Sequence, residues 1–186
     1  MEKYIHKVKY YETDKMGITH HSNYIRWMEE ARIDFLENIG FGFKQLEKDG
    51  IISPVTEVEC KYKTPTTFDD DVEISVDVDS FSGVRLTLKY EMTNKKTGDL
   101  VALCTSDHCF VNKDGKVIIL KKSFPEFDKK LRELATKNII FISFIILALS
   151  IALLKILGSN IPLLKNLMYA LSLFNISSKL RKYQIS

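Results

Sequence analysis

The chain has 186 residues and a formal net charge of +3, and its length suits one globular domain with an added segment. The basic excess is too small and too dispersed for a nucleic-acid-binding surface, and no nucleic-acid-binding motif accompanies it. The three cysteines form neither a CxxC pair nor an even disulfide framework, so we expect reduced thiols in the cytoplasm.

The charge is divided unevenly along the chain. Residues 1–137 contain all 24 acidic side chains and 22 of the 27 basic ones, a net charge of 22 − 24 = −2. Residues 138–186 contain the other five basic side chains and no acid, a net charge of +5. Soluble helices usually carry both signs of charge. We therefore expect two parts adapted to different surroundings, a folded domain at 1–137 and a hydrophobic, basic helical tail at 138–186.

The N-terminal part is expected to begin with a short strand and one long helix. Residues 3–11 are aromatic and favour a strand, and they lack the apolar run of a signal peptide, so the domain should stay on the side where it is made. Apolar residues then recur at three- and four-residue steps, which predicts an amphipathic helix. These residues are Tyr24, Trp27, Met28, Ala31, Phe35, Leu36 and Ile39. Ser22 or Asn23 is expected to cap its start, and Gly40 to end it.

From residue 55 the apolar period becomes two, which predicts antiparallel strands with one buried and one solvated face. The expected inward positions are Val58, Cys60, Tyr62, Val72, Ile74, Val76, Val78, Val84, Leu86, Leu88, Tyr90 and Met92. Turn sequences at 94–99 and 112–115 predict hairpins into further strands, the last at 116–120, and Pro125 begins a helix. This order favours an α+β fold in which an antiparallel sheet curls around one long central helix.

The tail is predicted to associate with a membrane. Residues 139–154 are uncharged and consist mainly of Ile, Leu and Phe, a composition that favours membrane entry. As a helix they rise about 24 Å, against a hydrocarbon core of about 30 Å, and only snorkelling of Lys155 extends the run to Leu157. A second amphipathic helix from Pro162, with lysines on one side, suits an anionic lipid surface. The sequence does not distinguish a tail that crosses the membrane from one that lies on its surface.

Membrane contact through residues 138–183 has soluble alternatives. The same apolar residues could form a buried helix pair or an oligomerisation surface. The tail could also be a separate interaction device unrelated to the domain.

The sequence ETDKMGITHHSNY, residues 12–24, contains several polar side chains of the types that take part in catalysis or metal binding. Adjacent His20 and His21 point in different directions and lack further ligands at metal-binding spacing, so no metal site is expected. No sequence context for a Ser or Cys nucleophile occurs. Asp14 remains, a carboxylate that can attack an electrophile or activate water, just before a helix whose first N–H groups can stabilise an oxyanion. Acyl transfer uses both, although Asp14 could merely stabilise its loop or the helix dipole.

The spaced residues of this stretch carry a family resemblance. The pattern Y-x-E-T-D-x-x-G-x-x-x-H-x-x-Y, residues 10–24, and E-x-A-R at Glu29 to Arg32 resemble the 4-hydroxybenzoyl-CoA thioesterase family of hotdog-fold enzymes. The resemblance is closest to the bacterial acyl-CoA thioesterase branch that includes the Tol-Pal-associated enzymes. The sequence KTPTTFDD, residues 63–70, is similar to that family's turn after the second strand. The resemblance covers about residues 3–130 and leaves the tail without a counterpart.

The resemblance implies a site and an assembly. Asp14 matches the family's catalytic carboxylate, acting as nucleophile or as general base, and the backbone N–H of His21 would polarise the thioester carbonyl. Gly17, His21 and Tyr24 are the expected substrate-binding positions: Gly17 for backbone freedom, the His21 ring for substrate or loop order, and Tyr24 for the acyl pocket or simple packing. His20 departs from the apolar or aromatic residue usual there. Such proteins are homodimers or homotetramers with active sites at the dimer interface, and they need no metal or redox cofactor.

These expectations combine into an acyl-CoA thioesterase that converts an acyl-CoA or acyl-carrier-protein thioester into a carboxylic acid and a free thiol. The enzyme is expected in the cytoplasm, attached to the inner face of a membrane. The alternative is a non-catalytic acyl-CoA or acyl-carrier-protein binding or scaffold module at the membrane. Hotdog-fold hydratases and dehydratases need a different His or Asp constellation, which is not found in the sequence.

Overall fold

The computed structural model describes residues 2–156, and residues 157–186, including the helix predicted from Pro162, lie outside the described residues. The chain divides into two compact units, Met1–Leu131 and Arg132–Ser186. The predicted domain boundary after residue 137 stays a prediction. The elements are β1 (Tyr4–Lys7), a 3-10 turn (Tyr10–Glu12), α1 (Ser22–Asn38), α2 (Phe43–Lys48), β2 (Val55–Tyr62), β3 (Asp71–Phe81), β4 (Arg85–Asn94), β5 (Leu100–Cys109), α3 (Leu120–Ser123) and α4 (Pro125–Ile156).

The first unit is built on one five-stranded antiparallel sheet with the strand order β1-β3-β4-β5-β2. The long hairpins β3–β4 and β4–β5 form its centre, because Val72 to Phe81 pair with β4 and β4 pairs along its length with β5. The strands at the two edges are β1 and β2. The α+β hotdog architecture expected from the sequence is confirmed.

Helix α1 supplies the centre of the core. All seven predicted apolar positions of the helix are buried, and Trp27 is 0% exposed. They pack with inward residues of the sheet such as Ile74 and Leu88, each also 0% exposed. Burial of one such side chain is worth roughly 1.5–3 kcal/mol, so this stripe orients α1 across the sheet. Gly40, at φ +86°, follows the end of the helix in a left-handed conformation, as predicted.

Strand β2 differs from its prediction. Its expected inward residues are not buried: Val58 is 37% exposed, Tyr62 is 47% exposed, and Cys60 is half-buried. The alternation is present, but β2 lies at the sheet edge, where a strand has a neighbour on one side only. An apolar face is thus left open along an eight-residue edge strand.

The predicted strand at 116–120 is wrong. Val117 forms only a single bridge with Val111, and Leu120 already begins α3. One bridged residue cannot extend a sheet whose edges are already formed by β1 and β2.

Helix α4 begins at Pro125, as predicted, and continues to Ile156. Its apolar residues Ile140, Ile145 and Leu149 are exposed by 52%, 43% and 65%. Between residues 2 and 156, no helix has the length and hydropathy needed to cross a membrane.

Candidate active site

Asp14 lies in a tight turn between the 3-10 turn and α1. Its backbone N–H donates to the carbonyl of Ile18 at 2.9 Å, and its own carbonyl accepts the N–H of Gly17 at 2.9 Å. The Asp14 carboxylate accepts the N–H of Met16 through Oδ1 at 2.8 Å, which fixes the side chain to its own turn. Within residues 2–156 the second oxygen, Oδ2, has no hydrogen-bond partner, so one lone-pair face of a half-buried carboxylate is available for chemistry.

Gly17 closes the turn in a left-handed conformation with φ +76°. A Cβ added there would meet no atom within 4 Å, so space does not require glycine at this position. Its backbone angle does, because only glycine adopts this region without a steric cost.

The start of α1 is capped differently from the prediction. The Nδ1 atom of His20 lies 2.9 Å from the hydroxyl of Ser22 and accepts the N–H of Ser22 at 3.3 Å, and the carbonyl of His20 accepts the N–H of Asn23 at 3.0 Å. Neither Ser22 nor Asn23 is the cap, because both already belong to the helix. The His21 N–H has no hydrogen-bond partner in the part of the chain that the structure describes. It is an unsatisfied donor at the positive end of a helix dipole.

Glu12 connects the Asp14 turn to the start of α1. Its carbonyl accepts the N–H of His20 at 2.8 Å and the side-chain amide of Asn23 at 2.8 Å. The chain segment two residues before the carboxylate is therefore bonded directly to the first residues of the helix. This contact brings the turn and the helix terminus into one unit.

The Glu12 side chain anchors that unit in the core. Its carboxylate, only 5% exposed, accepts the indole N–H of Trp27 at 2.8 Å and the backbone N–H of Lys9 at 2.7 Å, and it lies 3.0 Å from Nε2 of His6. Burial by itself raises the pKa of Glu12, but the hydrogen bonds from His6, Lys9 and Trp27 together lower it below its ordinary value. Glu12 therefore stays ionised in the folded protein.

The His6 ring lies between two carboxylates. Its Nε2 faces Glu12 and its Nδ1 lies 2.9 Å from Oε2 of Glu30, while its ring stacks on Trp27 at 4.5 Å. Sequence reasoning missed this buried cluster, whose only signal was Glu12 within the quoted motif.

Tyr24 and Tyr62 form the aromatic wall beside the helix start. Tyr24 is buried and its hydroxyl lies 3.2 Å from the hydroxyl of Thr66, whereas the exposed Tyr62 donates to the carbonyl of His21 at 3.0 Å. The two rings are 5.2 Å apart. Tyr62 was predicted only as a core residue, and its contact with His21 depends on tertiary structure that the sequence pattern does not show.

Arg32 and Glu29 lie three residues apart on α1 and form an ion pair, with 2.6 Å between Nη2 and Oε1. Arg32 is buried, and its Nη1 lies 3.5 Å from Nδ1 of His108. Burial and the Arg32 charge lower the pKa of His108 to about 4, so this ring is neutral at pH 7. The pair thus joins a buried guanidinium to an exposed carboxylate on α1.

The four predicted site residues thus occupy three settings. Asp14 and Gly17 share the turn, His21 is the exposed residue before α1, and Tyr24 is buried in the first turn of the helix. The rings of His20 and His21 lie 4.2 Å apart, and residues 2–156 contain no cluster of three or more potential metal ligands.

Comparison with known proteins gives consistent matches. A family model described as the thioesterase-like superfamily matches residues 8–134. The Bacillus subtilis (strain 168) protein named "Putative acyl-CoA thioesterase YneP" is 34% identical over 122 residues, covering 65% of this chain and 88% of YneP. The acyl-CoA thioester hydrolase YbgC of Escherichia coli O157:H7 is 27% identical over 88 residues, covering 47% of this chain and 66% of YbgC. A crystal structure of DHNA-CoA thioesterase from Staphylococcus aureus is similar with a TM-score of 0.70 and 33% identity, covering 74% of this chain and 92% of that one.

Proposed function

Since the chain belongs to the thioesterase-like superfamily, we propose that it is an enzyme that hydrolyses acyl-CoA thioesters to a carboxylic acid and free CoA. One observation supports this reaction above others. A carboxylate with an unengaged oxygen, Asp14, is joined through Glu12 to a helix start whose His21 N–H is also unengaged. A nucleophile or base and an oxyanion donor are the two groups that acyl transfer requires.

Asp14 supplies the first of these groups. As a nucleophile, Oδ2 attacks the thioester carbonyl carbon, the C–S bond breaks, and water hydrolyses the resulting anhydride. As a general base, Oδ2 takes a proton from water, which attacks the same carbon directly. Both routes release the acid and the thiol, and both use Oδ2, because Oδ1 already accepts the Met16 N–H.

The helix start supplies the second group. The His21 N–H, at the positive end of α1, polarises the thioester carbonyl and stabilises the negative charge on its oxygen in the transition state. Removal of a comparable donor in other acyl-transfer enzymes costs about 3–4 kcal/mol. Tyr62 helps to fix the backbone of His21, because its hydroxyl donates a hydrogen bond to the His21 carbonyl.

Gly17, His21 and Tyr24 are the proposed substrate-binding positions. Gly17 allows the turn to approach the ligand closely without a side chain. The exposed His21 ring is available to contact substrate, whereas the buried Tyr24 shapes the wall of the acyl site through its contact with Tyr62. Acyl-CoA and acyl-carrier-protein thioesters share the reacting bond, and both are candidate substrates.

The active form is proposed to be a homodimer or a pair of homodimers. Strand β2 is a long edge strand whose open face exposes Val58 and Tyr62, and the neighbouring helix α1 exposes Ile25 and Ile33. An exposed apolar edge strand is a template for pairing with another chain. A second copy supplies a strand of the same length and the same apolar face, and it brings residues beside the Tyr62–His21 contact.

The tail is proposed to associate the enzyme with the cytoplasmic face of a membrane. The exposed apolar residues of α4 and the net charge of +5 in residues 138–186 suit an anionic lipid surface. The test is co-sedimentation of the full chain with vesicles of phosphatidylcholine and phosphatidylglycerol. We expect binding, and the double change Ile145→Asp, Leu149→Asp should release the protein. Full-length protein that stays in the supernatant would contradict the proposal.

The proposed reaction is tested by product analysis with a panel of aliphatic and aromatic acyl-CoAs and one acyl-carrier protein. We expect the full chain to release free thiol and carboxylic acid in equal amounts from at least one of them. Tight binding of every substrate without release of either product would contradict hydrolysis. That result would favour the non-catalytic binding module.

A further inference from the structure

Two of the three cysteines lie face to face in the sheet. Cys60 of β2 and Cys104 of β5 are directly opposite in the antiparallel register, and their sulfur atoms are 3.1 Å apart, with the Cys104 thiol donating to the Cys60 sulfur. Opposite residues in antiparallel strands have Cα atoms about 4.5–5.5 Å apart, within the range of about 4.4–6.8 Å seen in disulfides. A bond between them therefore needs side-chain rotation and no rearrangement of the strands.

The two thiols differ in access and in acidity. Cys104 is 4% exposed, whereas Cys60 is half-buried on the edge strand. The hydrogen bond from Cys104 lowers the pKa of Cys60 to about 7, and burial opposes this lowering. The same contact with Cys60, together with burial, raises the pKa of the Cys104 thiol. In the single chain, Cys60 is thus the accessible nucleophile, and Cys104 is a protonated partner beside it. Cys60 shares its face of β2 with Val58 and Tyr62, so the small disulfide reaches it in a protomer whose β2 is not covered by a second copy.

We propose that Cys60 and Cys104 are a reversible oxidation site that exchanges with small-molecule disulfides of the glutathione class. The Cys60 thiolate attacks one sulfur of the small disulfide, which forms a mixed disulfide and releases one small thiolate. The Cys104 thiol then loses its proton to solvent and attacks the Cys60 sulfur, and the second small thiolate leaves. The protein loses two electrons and two protons, and one small disulfide is reduced to two thiols.

The disulfide would tie the edge strand to the centre of the sheet. It closes a loop from residue 60 to residue 104, and cross-links of this kind stabilise mainly by restricting the unfolded chain. The disulfide would leave the backbone N–H and C=O groups at the outer edge of β2 free to pair with another strand, because side chains stand roughly perpendicular to the sheet. The oxidised protein should therefore keep its fold and unfold at a higher temperature, by roughly 5 °C or more. This site does not depend on the proposed hydrolase activity.

The test dilutes the full-length protein until it sediments as a monomer and equilibrates it with reduced and oxidised glutathione. The remaining thiols are then alkylated, and the products are identified by mass spectrometry. We expect a peptide pair joined through Cys60 and Cys104, with Cys109 still alkylated, and full reversal by dithiothreitol. Cys109→Ser is the matched control, since Cys109 ends the same strand and lies opposite Arg85, and this variant should form the same link.

Two variants test the order of the steps. Cys104→Ser should stop at a mixed disulfide between Cys60 and glutathione, and Cys60→Ser should leave Cys104 unmodified. Three free thiols after equilibration of the wild type would overturn the proposal, and so would a stable mixed disulfide at Cys60 despite an intact Cys104. A joined product that unfolds at the same or a lower temperature than the reduced protein would show that the pair is not positioned for the bond.

Discussion

At the scale of single residues, Gly17 controls the backbone of the Asp14 turn. We predict that Gly17→Ala costs roughly 1–2 kcal/mol of stability, because alanine at φ +76° carries the left-handed penalty. Any relaxation that relieves the strain displaces Asp14, so turnover should fall roughly 3- to 100-fold. Urea unfolding measures the first effect, and thiol release measures the second.

Gly115 provides the matched control. It also has φ +76°, and an added Cβ there likewise meets no atom within 4 Å, but it lies in the turn after β5. Gly115→Ala should lose a similar amount of stability and keep wild-type turnover. Equal turnover in both variants would contradict a role for the Gly17 turn in the reaction.

Sequence reasoning at this scale finds residues whose type already limits their role. Asp14 and Gly17 are such residues, since a carboxylate before a helix and a turn glycine have few uses. The contacts of Glu12 and His20 were not predicted, because their residue types do not limit their roles in this way. A glutamate next to two tyrosines reads as exposed, and its burial follows from contacts with His6 and Trp27 that are distant in sequence.

At the scale of secondary structure, the open face of β2 is the feature with the clearest consequence. We predict that the wild type is a dimer or tetramer at micromolar concentration, and that Val58→Asp weakens the dimer at least about tenfold, because a carboxylate would be buried without a partner. Sedimentation velocity across a dilution series measures both. The control is Val117→Asp, which changes an exposed residue outside β2. A monomeric wild type, or identical sedimentation of the Val58 variant, would contradict pairing through β2.

The difference between α1 and β2 shows what a repeating pattern can predict. A three- to four-residue period places seven residues on one helix face, and the sheet covers that face within the same chain, so the prediction was confirmed. A period of two assigns a strand two faces but does not identify which neighbour covers them. For β2, no neighbour within residues 2–156 covers the apolar face fully, so Val58 and Tyr62 are exposed.

At the scale of the whole molecule, His108 links stability to pH. Its pKa is about 4 in the folded protein, against an ordinary value of 6.5, because burial and Arg32 disfavour the charged ring. In the unfolded chain His108 therefore binds a proton below about pH 6.5, whereas in the folded protein it binds one only near pH 4. The stabilisation is complete above pH 6.5 and is lost as the pH falls towards 4.

We predict that this group removes roughly 1–3 kcal/mol of the free energy of unfolding between pH 7 and pH 4.5. His108→Gln cannot titrate and should flatten that part of the profile. Urea unfolding at several pH values provides the measurement. Parallel profiles for the wild type and His108→Gln would contradict the assignment.

The central claim is that Asp14 performs thioester hydrolysis at the start of α1, and the turnover number of Asp14→Asn tests it most directly. The amide keeps the size of the side chain and can still accept the Met16 N–H, but it can neither attack a thioester nor take a proton from water. We predict that kcat falls at least about 100-fold while KM changes little. Asp69→Asn, at an exposed carboxylate in the neighbouring turn, should retain wild-type kcat. An unchanged kcat in Asp14→Asn would contradict the account.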